Sequence, residues 1–199
     1  AALAHGFERV SCDLLYAAPG VTDERFEYAV RTLQGYSVRH ISAYALTVEP
    51  GTLLGRREEN GEIVSLMPDF AAARMKSAID ILIHHGFKPY EISNFALLPS
   101  DVALHNQHYW RRSPYLGFGP GAHSLVDERR FWNIPDVHKY LESVNKNVAP
   151  RREEELLSRQ DRIHEMVMLG LRDMEKGFSV RALADEGYDI MGERSMIIT

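Results

Sequence analysis

The densest group of side chains that could carry chemistry is the segment His105-Asn106-Gln107-His108-Tyr109-Trp110. If this segment is helical, His105, His108 and Tyr109 share one face, and Trp110 adds a large flat surface beside them. Imidazole binds iron and other metals, and an aromatic wall suits a flat macrocycle. The alternative is a partly buried aromatic cluster whose histidines are satisfied by hydrogen bonds. Zinc is less favoured, since only two of its usual three or four ligands are local.

Asp13 is the single charge within the apolar run 10–16. An unpaired carboxylate inside a buried strand is costly, so we expect a partner for it. That partner is either a neighbouring backbone group or arginine, or a ligand that offers a hydroxyl or an ammonium group.

A third segment, Gly117-Phe118-Gly119-Pro120-Gly121-Ala122-His123-Ser124, has three glycines in five residues. Such a loop lets a backbone approach a ligand closely and can present unpaired N–H groups. Glu91 and Asn94 are open to two interpretations: they line a pocket, or they lie at the edge of a strand, which explains them equally well.

The elements that position these residues begin with a βαβ unit. A strand over 10–16, a helix capped by Thr22 and ended by Gly35, and a strand over 40–48 predict two parallel strands with a right-handed crossover. A helix from Pro68 to Gly86 follows, and then a strand over 87–95 that Pro89 confines to an edge or to its own start. The region 97–135 has no clean period. Helices resume at about 136–144, 158–174 and 179–186, the second with Ser158 as its cap and Asp161 three residues on.

This order predicts an α/β fold: the last strands of a parallel sheet or barrel, followed by a mixed C-terminal region. In such folds the functional residues lie at the C-terminal ends of strands and in the loops beyond them. That rule selects residues 13–20, 44–52 and the glycine-rich segment.

Composition narrows the classes of partner. A net charge of −5 without a dense Lys/Arg stretch argues against nucleic acid. No apolar run approaches membrane-spanning length. Cys12 is the single cysteine, which excludes an internal disulfide and a cysteine-based zinc site. We therefore expect a reducing compartment and a cytoplasmic location.

Five segments occur together and in order, and they closely resemble the HemW heme chaperone family. That family belongs to the group of oxygen-independent coproporphyrinogen III oxidases among the radical S-adenosylmethionine (SAM) proteins. The resemblance runs from about residue 6 to residue 185, and the H-N-x-x-Y-W pattern favours the chaperone branch over the oxidase. The segments are D-L-L-Y-A-A-P-G (13–20), Y-A-L-T-V-E-P-G-T (44–52), Y-E-I-S-N-F-A (90–96), H-N-Q-H-Y-W (105–110) and Y-L-G-F-G-P-G-A-H-S (115–124).

The resemblance implies an open (βα)6 partial barrel that binds SAM and a four-iron four-sulfur cluster. Residues 1–95 then correspond to the last βα units of this barrel. Residues 96–199 correspond to a mixed α+β region with the glycine-rich SAM-side segment and the start of a truncated helical domain. The residues implied to contact SAM are Asp13, Ala45, Gly119, Gly121, Ala122 and His123. Those implied to bind heme are His105, Asn106, Tyr109 and Trp110, with His105 the candidate iron ligand.

Two motifs of the family pattern are missing from the chain, and Ala17-Ala18 and Val21 replace its usual Gly-Leu and Gln. The C-x-x-x-C-x-x-C motif that holds the cluster is absent, and so is the Gly-Gly-Thr-Pro strand end that binds the amino-acid part of SAM. One cysteine cannot replace three, because each liganded iron needs its own thiolate. We therefore expect a fragment whose cluster exists only in a full-length parent and which does not cleave SAM by itself.

The predicted function is that of a heme-binding, chaperone-like radical-SAM protein with heme or porphyrin as ligand and a heme-accepting protein as partner. The enzymatic alternative is an oxygen-independent coproporphyrinogen III oxidase, which decarboxylates propionate side chains. A third alternative is a degenerate α/β module that binds neither SAM nor heme.

Overall fold

The computed structural model describes residues 2–63 and 67–188 of the 199-residue chain. It divides into two compact units, Ala1–Ala103 and Leu104–Thr199. Both contain helices and strands, in agreement with the predicted α/β class. The sequence-based division at residues 95 and 96 stays a prediction, since it concerns the barrel of the resembled family.

The first unit is a four-stranded sheet with helices packed on one side. Its strand order is β1-β2-β4-β3. Two short 3₁₀ turns, Leu3–His5 and Pro99–Asp101, flank it. The elements are β1 (Ser11–Ala17), α1 (Asp23–Gly35), β2 (His40–Ala45), α2 (Leu53–Glu59), α3 (Pro68–His84), β3 (Lys88–Pro89) and β4 (Asn94–Ala96).

The predicted βαβ unit is present, with β1 and β2 parallel and α1 between them in the chain. The side chain of Thr22 caps α1 by accepting a hydrogen bond from the Arg25 backbone N–H at 3.3 Å. Phe26 and Val30 of α1 are buried against the sheet, as the spacing of the apolar residues predicts. Strand β2 is shorter than expected, however, and ends at Ala45 instead of residue 48.

The prediction of one continuous strand over 87–95 is wrong. The segment forms two short strands, β3 and β4, which pair antiparallel with each other, and β4 also pairs antiparallel with β2. The interruption has a local cause, since the Glu91 carboxylate accepts a hydrogen bond from the Ser93 backbone N–H at 2.8 Å and turns the chain between the strands. Pro89 lies in the edge strand, as its missing N–H requires.

The two faces of this sheet differ in chemistry. Ile41 and Phe95 are paired in register and belong to the apolar core that α1 and α3 cover, together with Leu82 and Phe87. Because successive side chains alternate between faces, the opposite face carries the polar set. That set consists of Ser11, Asp13, His40, Ser42 and Asn94.

On the polar face, His40 is 5% exposed. Its Nδ1 lies 2.6 Å from Ser11 Oγ and its Nε2 lies 2.7 Å from Tyr90 Oη, so both ring nitrogens are engaged. Burial lowers the pKa of His40, against the opposing negative charges of Asp13 and Glu91. The folded state therefore favours the neutral imidazole.

Over residues 104–188, the second unit contains a three-stranded antiparallel sheet, in the order β5-β6-β7, and four helices. Sequence patterning did not predict these strands. A capping box between Ser158 and Asp161 begins α6, as predicted. Across residues 2–63 and 67–188, no helix is long and apolar enough to cross a membrane. The elements are α4 (Leu104–Trp110), β5 (His123–Val126), β6 (Arg129–Asn133), α5 (Val137–Asn145), β7 (Arg151–Leu156), α6 (Arg159–Gly170) and α7 (Val180–Asp185).

One carboxylate, that of Glu165 on α6, joins distant parts of this unit. Its Oε2 accepts from Arg112 Nε at 2.7 Å, and its Oε1 accepts from an Arg130 guanidinium nitrogen. The side chains of Glu165 and Arg112 are 14% and 11% exposed. Two cations thus share one largely buried anion. Arg112 also pairs with Glu128 at 2.7 Å and Arg130 with Glu155 at 3.1 Å, so losing Glu165 removes the most buried partner of each.

Glu165→Gln should accordingly lower the free energy of unfolding by about 2–4 kcal/mol. This overlaps the lower part of the range of about 3–5 kcal/mol for breaking a buried ion pair, because both arginines keep a second partner. Urea denaturation monitored by circular dichroism measures the change. The matched control is Glu155→Gln, which also removes a partner of Arg130 but at a site with 48% exposure. That control should cost less than about 1 kcal/mol. Equal losses in the two variants would contradict the special role of Glu165.

The His40 environment generates a pH prediction. Because the pKa is lowered in the folded state, the unfolded chain binds more protons below the ordinary histidine value of about 6.5. The stabilising contribution of neutral His40 is complete above that pH and is lost as the pH falls. Urea midpoints at pH 7.5 and 5.5 should therefore differ less for His40→Gln than for the unchanged chain. His138→Gln, which alters an exposed histidine, should keep the original difference.

Candidate functional site

Asp13 lies on the polar face of the first unit and is exposed. The expectation of a buried carboxylate in need of a partner is therefore wrong, since water can solvate this side chain. The run 10–16 is mostly apolar, yet only one face of β1 packs against the helices, and Asp13 is on the other. In register, Asp13 lies opposite Ser42 of β2.

Ala45, the second residue implied to contact SAM in this unit, is the last residue of β2 and pairs with Ala17 of β1. Its place agrees with the rule that functional groups collect at the C-terminal ends of parallel strands. Ala45 and Asp13 thus lie on two adjacent, hydrogen-bonded strands.

Glu91 and Asn94 are buried, with 1% and 3% exposure. Asn94 Nδ2 donates to Glu91 Oε1 at 2.5 Å, and the same oxygen accepts from the Ser93 backbone N–H. Asn94 Oδ1 is also buried and has no hydrogen-bond partner among the described residues. The amide oxygen of Asn94 is therefore an unused acceptor on the polar face. The sequence contained one signal for this acceptor: Glu91 and Asn94 are polar residues within Y-E-I-S-N-F, a segment that is predicted to be a strand.

The glycine-rich segment lies in the second unit, and four of its backbone N–H groups are hydrogen-bonded within that unit. Gly117 N donates to Ser124 Oγ at 3.0 Å, and Gly119 N donates to Tyr140 Oη at 3.2 Å. Gly121 N and Ala122 N donate to the backbone oxygens of Ile134 and Gly119. The expectation that the loop presents these N–H groups to a ligand is thus wrong, because the fold itself uses them.

Glycine is required here by close packing within the unit. A side chain at Gly117 would clash with the backbone oxygen of His123, and Gly119 has a φ of +105°. The loop in turn fixes the start of β5, where His123 is exposed and its ring stacks on Trp132 at a centroid distance of 5.4 Å. Among the residues of this segment implied to contact SAM, the imidazole of His123 is the exposed functional group.

The segment H-N-Q-H-Y-W, for which the sequence left the helix as a condition, forms α4, and His105 is exposed on it. The His105 ring meets Tyr109 edge-on at a centroid distance of 4.9 Å. Tyr109 in turn meets Tyr115 edge-on at 4.7 Å. The imidazole is therefore held by an aromatic chain while it remains open to solvent. His108 is also exposed, and Asn106 is half-buried.

Trp110 is less available than the sequence suggested. The guanidinium of Arg172 lies 4.3 Å from its ring centroid, so a cation already covers one face. Trp110 Nε1 is buried and has no partner within residues 2–63 and 67–188. Its indole therefore offers an unused donor more readily than a free flat surface.

A cavity of about 280 Å³ opens beside Tyr109. It lies near the lower limit for pockets that enclose drug-sized ligands. The lining residues include Tyr109, Arg112, Tyr115, Leu125, Arg130 and Met168.

The residues present do not fit a four-iron four-sulfur cluster. Such clusters are held by cysteine thiolates, and Cys12 is the one cysteine in the chain. Burial raises the pKa of the Cys12 thiol, and the charge of Asp13 adds to the effect, so the neutral form is favoured. Within the described residues, no group of three or more His, Cys, Asp and Glu side chains is placed to hold a metal ion.

Comparison with known proteins gives relatives but no matching family model. The chain is 33% identical over 168 residues to the heme chaperone HemW of Bacillus subtilis, covering 84% of this chain and 44% of that protein. It is 37% identical over 149 residues to HemW of Mycobacterium tuberculosis, covering 75% of this chain and 38% of that protein. The chain thus spans less than half the length of these relatives.

A solved structure shares the fold. The chain is similar to coproporphyrinogen III oxidase (HemN) from Escherichia coli, described as a radical SAM enzyme, with a TM-score of 0.70. The match covers 86% of this chain and 42% of that protein, at 18% sequence identity. The predicted fold, the C-terminal part of a radical-SAM partial barrel with a mixed region after it, is thereby confirmed. By sequence and by fold, the chain belongs to the HemW/HemN-like radical SAM proteins.

Proposed function

We propose that this chain is the heme-binding part of a chaperone-like radical-SAM protein, with His105 as the ligand to heme iron. The single observation that carries the proposal is the imidazole of His105, exposed on α4 and buttressed by Tyr109. The relatives named heme chaperone support it. A heme-accepting protein is the partner that this function requires.

The surroundings of His105 suit ligation of an iron atom by its imidazole ring. His105 needs no rearrangement to reach an iron atom, because its ring is already exposed. Its edge-on contact with Tyr109 restricts rotation of the ring and so reduces the entropy lost on binding. Trp110, whose Nε1 donor is unused, and Asn106 are the other heme-binding candidates on this helix. Heme, if bound, would supply an iron centre that the His105 imidazole would ligate.

SAM is the second proposed ligand. In the first unit, the Asp13 carboxylate and the Ala45 backbone at the end of β2 are its candidate contacts. In the second unit, the candidates are Gly119, Gly121, Ala122 and His123, of which only His123 adds an exposed polar side chain. Because the residues present do not fit an iron–sulfur cluster, no reductive step on SAM is assigned to this chain.

The oxidase alternative has weaker support. The likeness to HemN is at 18% identity and concerns the fold, whereas the relatives at 33–37% identity carry the name heme chaperone. Fold similarity alone does not transfer a reaction.

Heme titration tests the proposal. The chain should show a saturable shift of the Soret absorption band, and His105→Ala should abolish it. His108→Ala is the matched control, since it removes another exposed imidazole of the same helix, one turn away.

A shift that survives His105→Ala but is lost in His108→Ala would move the ligand by one turn and contradict the assignment. A folded chain with no shift at all would contradict heme binding by this part of the protein. Circular dichroism of each variant establishes that the chain remains folded.

A further inference from the structure

Asn94 Oδ1 is a hydrogen-bond acceptor for which the described fold provides no donor. The residue is 3% exposed, so bulk water does not reach this atom freely. A buried acceptor left unpaired costs on the order of 1–3 kcal/mol. Such atoms in native proteins call for an explanation, and a ligand donor is one.

The orientation of the amide is set by Glu91. Glu91 Oε1 already accepts from the Ser93 backbone N–H, and the same oxygen lies 2.5 Å from Asn94 Nδ2, so it faces the donor end of the amide. Turning the amide over would place Oδ1 against the carboxylate oxygen. Glu91 is also held by the Ser93 backbone N–H. The acceptor oxygen of Asn94 is therefore directed away from Glu91 by a fixed neighbour.

Strand register places this acceptor in a row with Asp13. Asp13 lies opposite Ser42, and Ser42 lies opposite Asn94, so all three side chains are on the polar face. Adjacent strands are about 4.8 Å apart, which separates the ends of the row by about 10 Å. The row places a carboxylate, a hydroxyl and an amide oxygen on one side of the sheet, with Asp13 exposed and Ser42 and Asn94 buried.

We infer that the Asp13–Ser42–Asn94 row is a subsite for the hydroxyl or amino donors of SAM, with Asn94 Oδ1 accepting one of their hydrogen bonds. This inference rests on the proposed SAM site at Asp13. It adds Asn94 and Ser42 as ligand contacts and makes Glu91 a positioning residue that acts through Asn94. A ligand that carries an amino acid, a ribose and an adenine has donors spread widely enough to meet the row.

Nuclear magnetic resonance titration of the chain with SAM tests the subsite directly. The side-chain amide resonances of Asn94 should shift in a saturable way, because a hydrogen bond to Oδ1 polarises the Nδ2 protons. Asn94→Leu should weaken SAM binding about 3- to 10-fold, the loss of one hydrogen bond. Ser42→Ala is a small change in the same row and should weaken binding in the same direction. Ser100→Ala, at an exposed site of the same unit, should leave the dissociation constant unchanged.

Glu91 has its own test. Glu91→Gln keeps an oxygen that can accept from Asn94 Nδ2, and it should retain most of the affinity for SAM. Glu91→Leu frees the amide to turn and should weaken binding about as much as Asn94→Leu. The double variant Glu91→Leu with Asn94→Leu should then be no weaker than either single variant, because both changes remove one interaction.

The outcomes separate this inference from the SAM site itself. Suppose that the unchanged chain binds SAM and that Asp13→Ala abolishes this binding. If the Asn94 resonances do not shift and the Asn94 and Ser42 variants keep the original affinity, the subsite is wrong while the SAM site stands. If the unchanged chain does not bind SAM, both fall. If Asn94→Leu does not fold, the test rests on the Asn94 resonances of the unchanged chain and on the affinity of Ser42→Ala for SAM.

Discussion

The alternation of side chains along β1, β2 and β4 is the constraint on which the first unit depends. One face must be apolar, because α1 and α3 cover it, and Ile41 and Phe95 meet there in register. The period of two then places Asp13, Ser42 and Asn94 together on the other face. A shift of one residue in any strand would exchange the two sets and would destroy the core and the candidate site together.

The second unit is organised differently, by hydrogen bonds that tie loops to strands. Asn133 of β6 donates to the backbone oxygens of Gly117 and Gly119. Ser124 and Tyr140 accept from the backbone N–H groups of the same two glycines. Glu165 joins Arg112 and Arg130 in the same way, with charged partners. These contacts hold α4 and β5 in a unit whose sheet has only three strands.

Local signals in the sequence were reliable where the cause of a structure is itself local. The Thr22 cap and the Ser158–Asp161 capping box both follow from residues within one turn of each other. Helical spacing also places Tyr109 beside His105 once the segment is helical, whereas the exposure of His105 is a finding of the structure.

The errors arose where distant partners decide. An apolar run does not reveal which face of β1 will be covered, so the exposure of Asp13 could not be read from residues 10–16. The interruption of the strand over 87–95 is the exception, since its cause is local: the Glu91 side chain competes for the backbone N–H of Ser93, two residues away. The glycine-rich loop has the composition of a ligand-binding loop, yet its donors are taken by Ser124 and Tyr140, which lie up to 21 residues away.

The steric requirement at Gly117 bears on how relatives of this chain are compared. The carbonyl oxygen of His123 leaves no space for a side chain at that position, whether or not a ligand is present. Selection for a folded β5 alone would therefore keep a glycine there in every homologue. Invariance of Gly117 across an alignment would record a packing demand, whereas variation at His123 or Asn94 would carry information about binding.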